Sequence, residues 1–155
     1  MRPKIYAMIP ARIGSQRLKY KNLALINKKP MISYAINAAK RSKCFHKIFI
    51  NSDHEVFYKI AKRYKVNFYQ RKKKLGGSNV KSDTIVYDFM KNNSEADILV
   101  WVNSIAPLQT SDEIRKIVNF FYKKNIDSLI TVENKKTHCN FKNKPLNYLK
   151  NSKFS

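Results

Sequence analysis

Residues 10–22 combine side chains that suit a phosphorylated ligand. Four cations and two small residues lie within this stretch: Arg12, Gly14, Ser15, Arg17, Lys19 and Lys21. An arginine can hold two phosphate oxygens at once, whereas a lysine acts as a point charge. Small residues also let backbone N–H groups approach a phosphate closely. The loop therefore predicts a triphosphate site that lacks the GxxxxGK[ST] spacing of a P-loop. A lysine-rich loop exposed to solvent is the alternative interpretation.

The loop must be positioned by the elements around it, and strand and helix patterns alternate along the chain. Apolar runs typical of strands occupy residues 4–9, 47–51, 66–69, 98–102 and 128–132. Apolar residues at helical spacing occupy residues 30–41, 55–64, 82–91 and 111–124. Five strands separated by helices are typical of βαβ units. The sequence therefore predicts an α/β fold with a three-layer, doubly wound, mostly parallel sheet, similar to the Rossmann fold.

Ligands of open parallel sheets bind beyond the carboxyl ends of the strands. The segments that follow the first four predicted strands are therefore expected to meet at one site: residues 10–22, 51–54, 71–82 and 103–110. Residues 1–133 are predicted to form one nucleotide-binding domain. Residues 134–155, which are rich in lysine and asparagine, are predicted to be a basic tail or the start of a further C-terminal part.

The net charge of +22 could indicate a nucleic-acid partner. However, 25 of the 32 cations are lysine and only 7 are arginine, and the chain is also rich in Asn, Ile, Phe and Tyr. Lysine and these four residues share A/T-rich codons, so a bias in genome composition explains much of the excess lysine. No specific nucleic-acid partner is therefore expected.

The sequence does not support a membrane protein, a disulfide framework or a metal site. No apolar run approaches the ~20 residues of a membrane helix, and the N-terminus lacks the apolar stretch of a signal peptide. Cys44 and Cys139 follow neither a disulfide nor a zinc pattern. The three histidines also lie in no metal-ligand spacing, and Asp53 is expected to orient the turn after the second strand. We therefore expect a cytoplasmic protein without a metal ligand in this chain.

Several motifs, in the same order, resemble those of cytidylyltransferases that make CMP-activated acidic sugars. IPARIGSQRLKYKNL is similar to their N-terminal signature, approximately I-P-A-R-x-G-S-x-x-[LI]-x-x-K-N. The segments KPMISYAINAAKRSKCFHKIFINSD, AKRYKVNFYQR and APLQTSDEI match the units that follow. The resemblance covers residues 4 to about 133. It is strongest to the CMP-N-acylneuraminate (CMP-sialic acid) synthetases, and it implies the fold of the nucleotide-diphospho-sugar transferases.

The resemblance implies an enzyme of nucleotide-sugar biosynthesis for cell-surface polysaccharides. The implied reaction transfers CMP from CTP to the anomeric hydroxyl of a sialic-acid-like nonulosonate and releases pyrophosphate. Arg12 and Lys21 would be catalytic, because cations stabilise the charge that builds on the α-phosphate, and Asn103 would contact the sugar acid. The implied nucleotide-binding residues are Arg12, Gly14, Ser15, Arg17, Lys21, Asn22, Arg71 and Ser82. Mg²⁺ is implied as cofactor, with its ligands expected in a C-terminal part outside this chain.

The chain departs from the family pattern after the fourth strand. The family reads LLQPTSPLRT where this chain reads WVNSIAPLQT, which places Asn103 where the family has glutamine and Gln109 where it has arginine. These changes concern sugar recognition more than CTP binding. The later part of the family carries much of its dimer contact, so a homodimer is implied for full-length members and not for this chain alone. The alternatives are a catalytically silent CTP-binding domain of the same fold and a basic nucleic-acid-binding protein.

Overall fold

The computed structural model describes residues 3–15, 18–133, 139–142 and 144–146. Its contacts divide the chain into two units, residues 1–124 and residues 125–155. The elements of the first unit are β1 (Ile5–Pro10), β2 (Leu25–Ile26), β3 (Lys29–Pro30), α1 (Ile32–Ser42), β4 (Lys47–Ser52), α2 (Val56–Tyr64), β5 (Asn67–Gln70), α3 (Ser82–Lys91), β6 (Ile98–Trp101) and α4 (Ser111–Lys124). The described part of the second unit contains one hairpin, β7 (Asn140–Phe141) and β8 (Lys144–Pro145).

The first unit is built on a parallel sheet with the strand order β5-β4-β1-β6. Strand β1 lies between two neighbours and is buried on both faces. Ile5, Ala7 and Ile9 belong to the apolar cluster on one face, whereas Tyr6 and Met8 belong to the cluster on the other. Successive side chains of a strand point to opposite faces, so a continuous apolar run serves both layers.

Helices cover both faces of this sheet. The cluster around Ile9 contains Ile36 of α1, Phe57 of α2 and Ile114 of α4, and the opposite cluster contains Phe89 of α3. Two helical layers around one parallel sheet make a three-layer α/β fold of the Rossmann type, which confirms the predicted fold class.

The predicted fifth strand at residues 128–132 is wrong. These residues form neither helix nor strand, and Ile130 and Val132 are more than four-fifths exposed. A β-strand needs a hydrogen-bonded neighbour, and an apolar sequence pattern does not show whether one is available. The chain also contains the β2–β3 hairpin, which was not predicted. Its turn residues Asn27 and Lys28 both have positive φ, and an asparagine at such a turn was the available signal.

Two further expectations concern the chain as a whole. The predicted domain boundary after residue 133 stays a prediction, since most of residues 134–155 lie outside the described part. Within the residues that the structure describes, no helix has both the length and the apolar character needed to cross a bilayer.

Candidate functional site

A cleft of about 230 Å³ opens where the carboxyl ends of the parallel strands meet. Its walls come from the loop after β1, the segment between β5 and α3, and the loop after β6. The polar and charged side chains among its lining residues are Arg12, Ser15, Lys21, Asn22, Arg71, Ser78, Ser82, Asn103 and Ser104. Leu75, Val80, Ile85, Trp101 and Ile105 supply apolar surface. The cleft therefore combines cations, hydroxyls and amides with apolar walls.

The loop after β1 is held in a closed shape by its own residues. The Asn22 side-chain Nδ2 donates to the carbonyl oxygen of Arg12 at 3.1 Å, which ties the two ends of the loop together. Tyr20 adopts the left-handed conformation, with φ 55° and ψ 33°, and starts a short 3₁₀ turn at Lys21–Leu23. Because a bulky residue rarely adopts this conformation, the turn is locally strained. The strained turn is the segment that brings Lys21 and Asn22 to the cleft.

Arg71 is a buried cation in the wall of the cleft, 3% exposed. Its Nη2 donates to the carbonyl oxygen of Ala11 at 3.0 Å and to Oδ1 of Asp53 at 3.2 Å. Its Nη1 donates to Oδ1 of Asn51 at 3.4 Å. Burial lowers the pKa of Arg71 from its ordinary value, and the Asp53 carboxylate opposes this effect. The guanidinium is thus fixed by groups at the carboxyl ends of β1 and β4.

Two buried polar atoms of the cleft lack a hydrogen-bond partner among the described residues. One is a donor, Nε of Arg71, and the other is an acceptor, Oδ1 of Asn22. An unpaired buried polar group costs roughly 1–3 kcal/mol relative to a paired one. A ligand that offers both an acceptor and a donor would remove this cost. The site therefore favours a ligand that carries both hydrogen-bond acceptors and hydrogen-bond donors as well as negative charge.

The cleft is electropositive. Arg12, Lys21 and Arg71 line it, and no carboxylate is found among the described lining residues. The charge of Arg12 also contributes to the lowered pKa of Arg71, so the two guanidinium groups repel each other. Such a concentration of like charge favours an anionic ligand.

The same lining does not fit a protein-held Mg²⁺. Magnesium prefers carboxylate oxygens, which the described lining does not supply, and no cluster of three His, Cys, Asp or Glu occurs in the described part of the chain. The carboxylate of Asp53, which is not a lining residue, is paired with Arg71. The described lining therefore does not supply a ligand set for a metal ion.

The structure brings most of the sequence-predicted site residues together. Seven of them line the same cleft: Arg12, Ser15, Lys21, Asn22, Arg71, Ser82 and Asn103. Gly14 lies on the loop after β1 but is exposed and is not a lining residue. Arg17 lies outside the described residues. The roles assigned to all nine residues stay predictions.

The side chain of Asn103 forms a hydrogen bond within its own loop. Its Oδ1 accepts a hydrogen bond from the backbone N–H of Ile105 at 3.3 Å, an Asx turn that shapes the segment after β6. The side-chain amide N–H groups of Asn103 are left for a ligand, together with the second lone pair of Oδ1.

Sequence reasoning did not find the ion pair between Asp53 and Arg71, the residue that follows β5. The expected role of Asp53, to cap or orient the turn after the second strand, stays a prediction. A signal was available. Asp53 and Arg71 each lie two residues after the end of a predicted strand, at 51 and 69, and the carboxyl ends of neighbouring parallel strands lie side by side.

Comparisons with known proteins find relatives over most of the chain. A family model described as cytidylyltransferase matches residues 6–152. The chain is similar to the N-acylneuraminate cytidylyltransferase of Escherichia coli O18:K1:H7 (strain RS218 / NMEC), 30% identical over 121 residues, which cover 78% of this chain and 29% of that protein. It is also similar to post-translational flagellin modification protein B of Campylobacter coli, 34% identical over 134 residues, covering 83% and 57%. The chain spans about a third of the length of the first of these relatives.

Solved structures show the same fold. The structure of CMP:2-keto-3-deoxy-manno-octonic acid synthetase complexed with CTP superposes with a TM-score of 0.66 at 19% identity, covering 79% of this chain and 48% of that one. A cytidylyltransferase from Leptospira borgpetersenii serovar Hardjo-bovis (strain JB197) has a TM-score of 0.65 at 23% identity, covering 79% and 50%. At these identities the likeness concerns the fold alone.

Proposed function

Because the chain belongs to the cytidylyltransferase family, whose model matches residues 6–152, we propose that its cleft binds CTP and serves the transfer of CMP to a sialic-acid-like nonulosonate. One observation carries the proposal. The cleft joins a cationic loop to a buried donor and a buried acceptor that lack partners among the described residues. A nucleoside triphosphate offers negative charge, acceptors and donors in one molecule. The acceptor class is taken from the relatives named N-acylneuraminate cytidylyltransferase.

Each part of the cleft has a distinct task in this proposal. Arg12, Lys21 and the Ser15 hydroxyl bind the triphosphate, while Arg71 and Asn22 bind the nucleoside, with Ser82 beside them. Leu75, Val80 and Ile85, on the Arg71 side of the cleft, supply an apolar surface for the base. The amide N–H groups of Asn103 contact the sugar acid from the opposite side. The strand order supports this division. Strand β1 and its cationic loop lie between β5, which precedes Arg71, and β6, which precedes Asn103.

The proposed chemistry is a displacement at the α-phosphorus. The anomeric hydroxyl oxygen forms a bond to that phosphorus and loses its proton to water. The bond between the phosphorus and the oxygen that bridges to the β-phosphate breaks, which releases pyrophosphate. Negative charge grows on the non-bridging oxygens of the α-phosphate. Arg12 and Lys21 are already held at the cleft and stabilise this charge without reorganisation. Mg²⁺ belongs to this proposal as a partner of the triphosphate, not as an ion held by the described lining.

A catalytically silent CTP-binding domain is the second candidate. The observation that favours it is the absence of carboxylates from the described lining, since the cleft then offers no evident group to take the proton of the attacking hydroxyl. Both candidates require CTP binding, and they differ in turnover.

Nucleotide-induced thermal stabilisation of the full chain tests the binding step. A ligand at 100 times its Kd raises the free energy of unfolding by about 2.7 kcal/mol. We expect CTP to stabilise the chain more than UTP, ATP, GTP or duplex DNA at near-physiological salt. Arg12→Ala should reduce the CTP effect, whereas Lys59→Ala, which removes an exposed cation of α2, should leave it unchanged.

Equal stabilisation by every polyanion, or equal effects of the two variants, would attribute binding to the net charge and overturn the proposal. Given selective CTP binding, release of pyrophosphate in the presence of a nonulosonate identifies the enzyme. CTP binding without pyrophosphate release identifies the silent domain.

A further inference from the structure

Asp53 contacts the cleft only through another residue. Asp53 does not line the cleft itself. Its carboxylate forms an ion pair with Arg71, and Arg71 is a lining residue. The two side chains are 17% and 3% exposed, so the pair is poorly screened by solvent. The ion pair therefore favours the position that the Arg71 guanidinium adopts in the structure.

Asp53 supplies the charged member of the set that holds Arg71. Three of the five N–H donors of the guanidinium are used, by Ala11, Asp53 and Asn51, which leaves 5 − 3 = 2 for a ligand. Of the three acceptors, the two other than Asp53 are neutral. Without the carboxylate, Arg71 would be a buried cation repelled by Arg12 and free to turn toward solvent.

Gly76 provides the space that Asp53 occupies. A Cβ atom built on Gly76 would lie less than 3.0 Å from all three atoms of the Asp53 carboxyl group. Its φ is not positive, so the position requires glycine for space rather than for backbone conformation. The short 3₁₀ helix Lys73–Gly76 is thus seated against the same carboxylate that holds Arg71.

We propose that Asp53 is a positioning residue for nucleotide binding. It holds the Arg71 guanidinium in the wall of the cleft with Nε and one further N–H left for the ligand, and Gly76 is the residue that makes room for it. The ligand part of this inference rests on the proposed CTP site. The coupling of Asp53, Arg71 and Gly76 does not depend on a ligand.

Affinity for two probes, CTP and inorganic tripolyphosphate, tests the inference on the full chain. Arg71→Ala and Asp53→Ala should each weaken CTP binding about tenfold, the usual value of a lost hydrogen bond to a charged group, and leave tripolyphosphate binding within a factor of two. Asp53→Asn keeps an acceptor and should restore part of the CTP affinity. Asp112→Ala, which removes the carboxylate of the exposed pair with Arg115 on α4, is the matched control and should change neither affinity.

A double-mutant cycle tests the role of Gly76. Gly76→Ala should weaken CTP binding about as much as Asp53→Ala. The same change in an Asp53→Ala background should have no further effect, because the three atoms nearest to the new Cβ are then absent. Additive losses would overturn the inference, as would an Asp53→Ala variant that binds CTP like wild type while Arg71→Ala does not. Equal loss of both probes in Asp53→Ala would also overturn it, since this indicates a general structural role.

Failure of the proposed function has a different signature. A wild-type chain that binds CTP no better than tripolyphosphate overturns the CTP site and the ligand part of the inference. In that event, the midpoint of urea unfolding of the same variants decides whether Asp53 holds Arg71. Non-additive effects of Asp53→Ala and Arg71→Ala support the coupling, and additive effects overturn it.

Discussion

Phe89→Ala is predicted to destabilise the face of the sheet that carries α3. Phe89 is 0% exposed, and its ring contacts Phe49 and Tyr69 edge-on, with centroid distances of 5.2 and 5.1 Å. Truncation removes the buried ring and leaves a cavity between α3 and the face of the sheet that α3 covers. Changes of this kind typically cost 3–5 kcal/mol in free energy of unfolding. A loss of about 4 kcal/mol would lower the Tm by on the order of 15 °C for a unit of this size.

Urea unfolding followed by circular dichroism measures this loss. The midpoint should fall, whereas the m value should not change, because the surface exposed on unfolding stays nearly the same. Tyr87→Ala is the matched control on the same helix. Its side chain is 68% exposed, and the expected change is within about 0.5 kcal/mol. Similar losses for the two variants would refute the assignment of Phe89 to a packed second layer. Ser82, the first residue of α3, lines the cleft. A displaced α3 would move Ser82, so Phe89→Ala should also weaken CTP-induced stabilisation.

Two further predictions concern pH and helix capping. Burial, helped by the hydrogen bond that its hydroxyl donates to Asp88, raises the pKa of Tyr69 to about 12. The stabilisation by this phenol is therefore complete below pH 10 and is lost as the pH rises through 12. The free energy of unfolding of Tyr69→Phe should therefore depend less on pH across this window than that of the wild type. An unchanged dependence would contradict the assignment. Thr110 and Glu113 form a reciprocal capping box at the start of α4, and Thr110→Ala should cost about 1 kcal/mol in urea unfolding. The backbone and hydroxyl bonds from Thr110 lower the pKa of Glu113. The stabilisation by this cap should therefore be complete above the ordinary pKa of a glutamate and be lost as the pH falls through the lowered pKa, and a cap effect that is constant at acidic pH would contradict this assignment.

Local patterns in the sequence predicted most of the first unit. Helices α3 and α4 begin and end at the predicted residues, 82–91 and 111–124. The predicted strand at 4–9 differs from β1 by one residue at each end, and the predicted strand at 47–51 ends one residue before β4 does. These elements have strong apolar periodicity, and periodicity is a property of the chain itself. The error at residues 128–132 has the complementary reason, because strand formation depends on a partner that the segment does not contain.

The sequence by itself determined the cationic loop, the parallel α/β architecture and the set of loops that follow the strands. Residue type and spacing are sufficient for these, since the hydrophobic pattern selects the elements and the parallel topology places their carboxyl ends together. The predicted topology places Asp53 and Arg71 near each other, but only the tertiary structure decided that they form an ion pair, that Gly76 makes room for Asp53, and that Arg71 and Asn22 keep one unpaired polar atom each. Asp53 and Gly76 are 23 residues apart, and whether they touch depends on packing at ångström precision. Such contacts are a property of the folded surface and have no counterpart in a local sequence pattern.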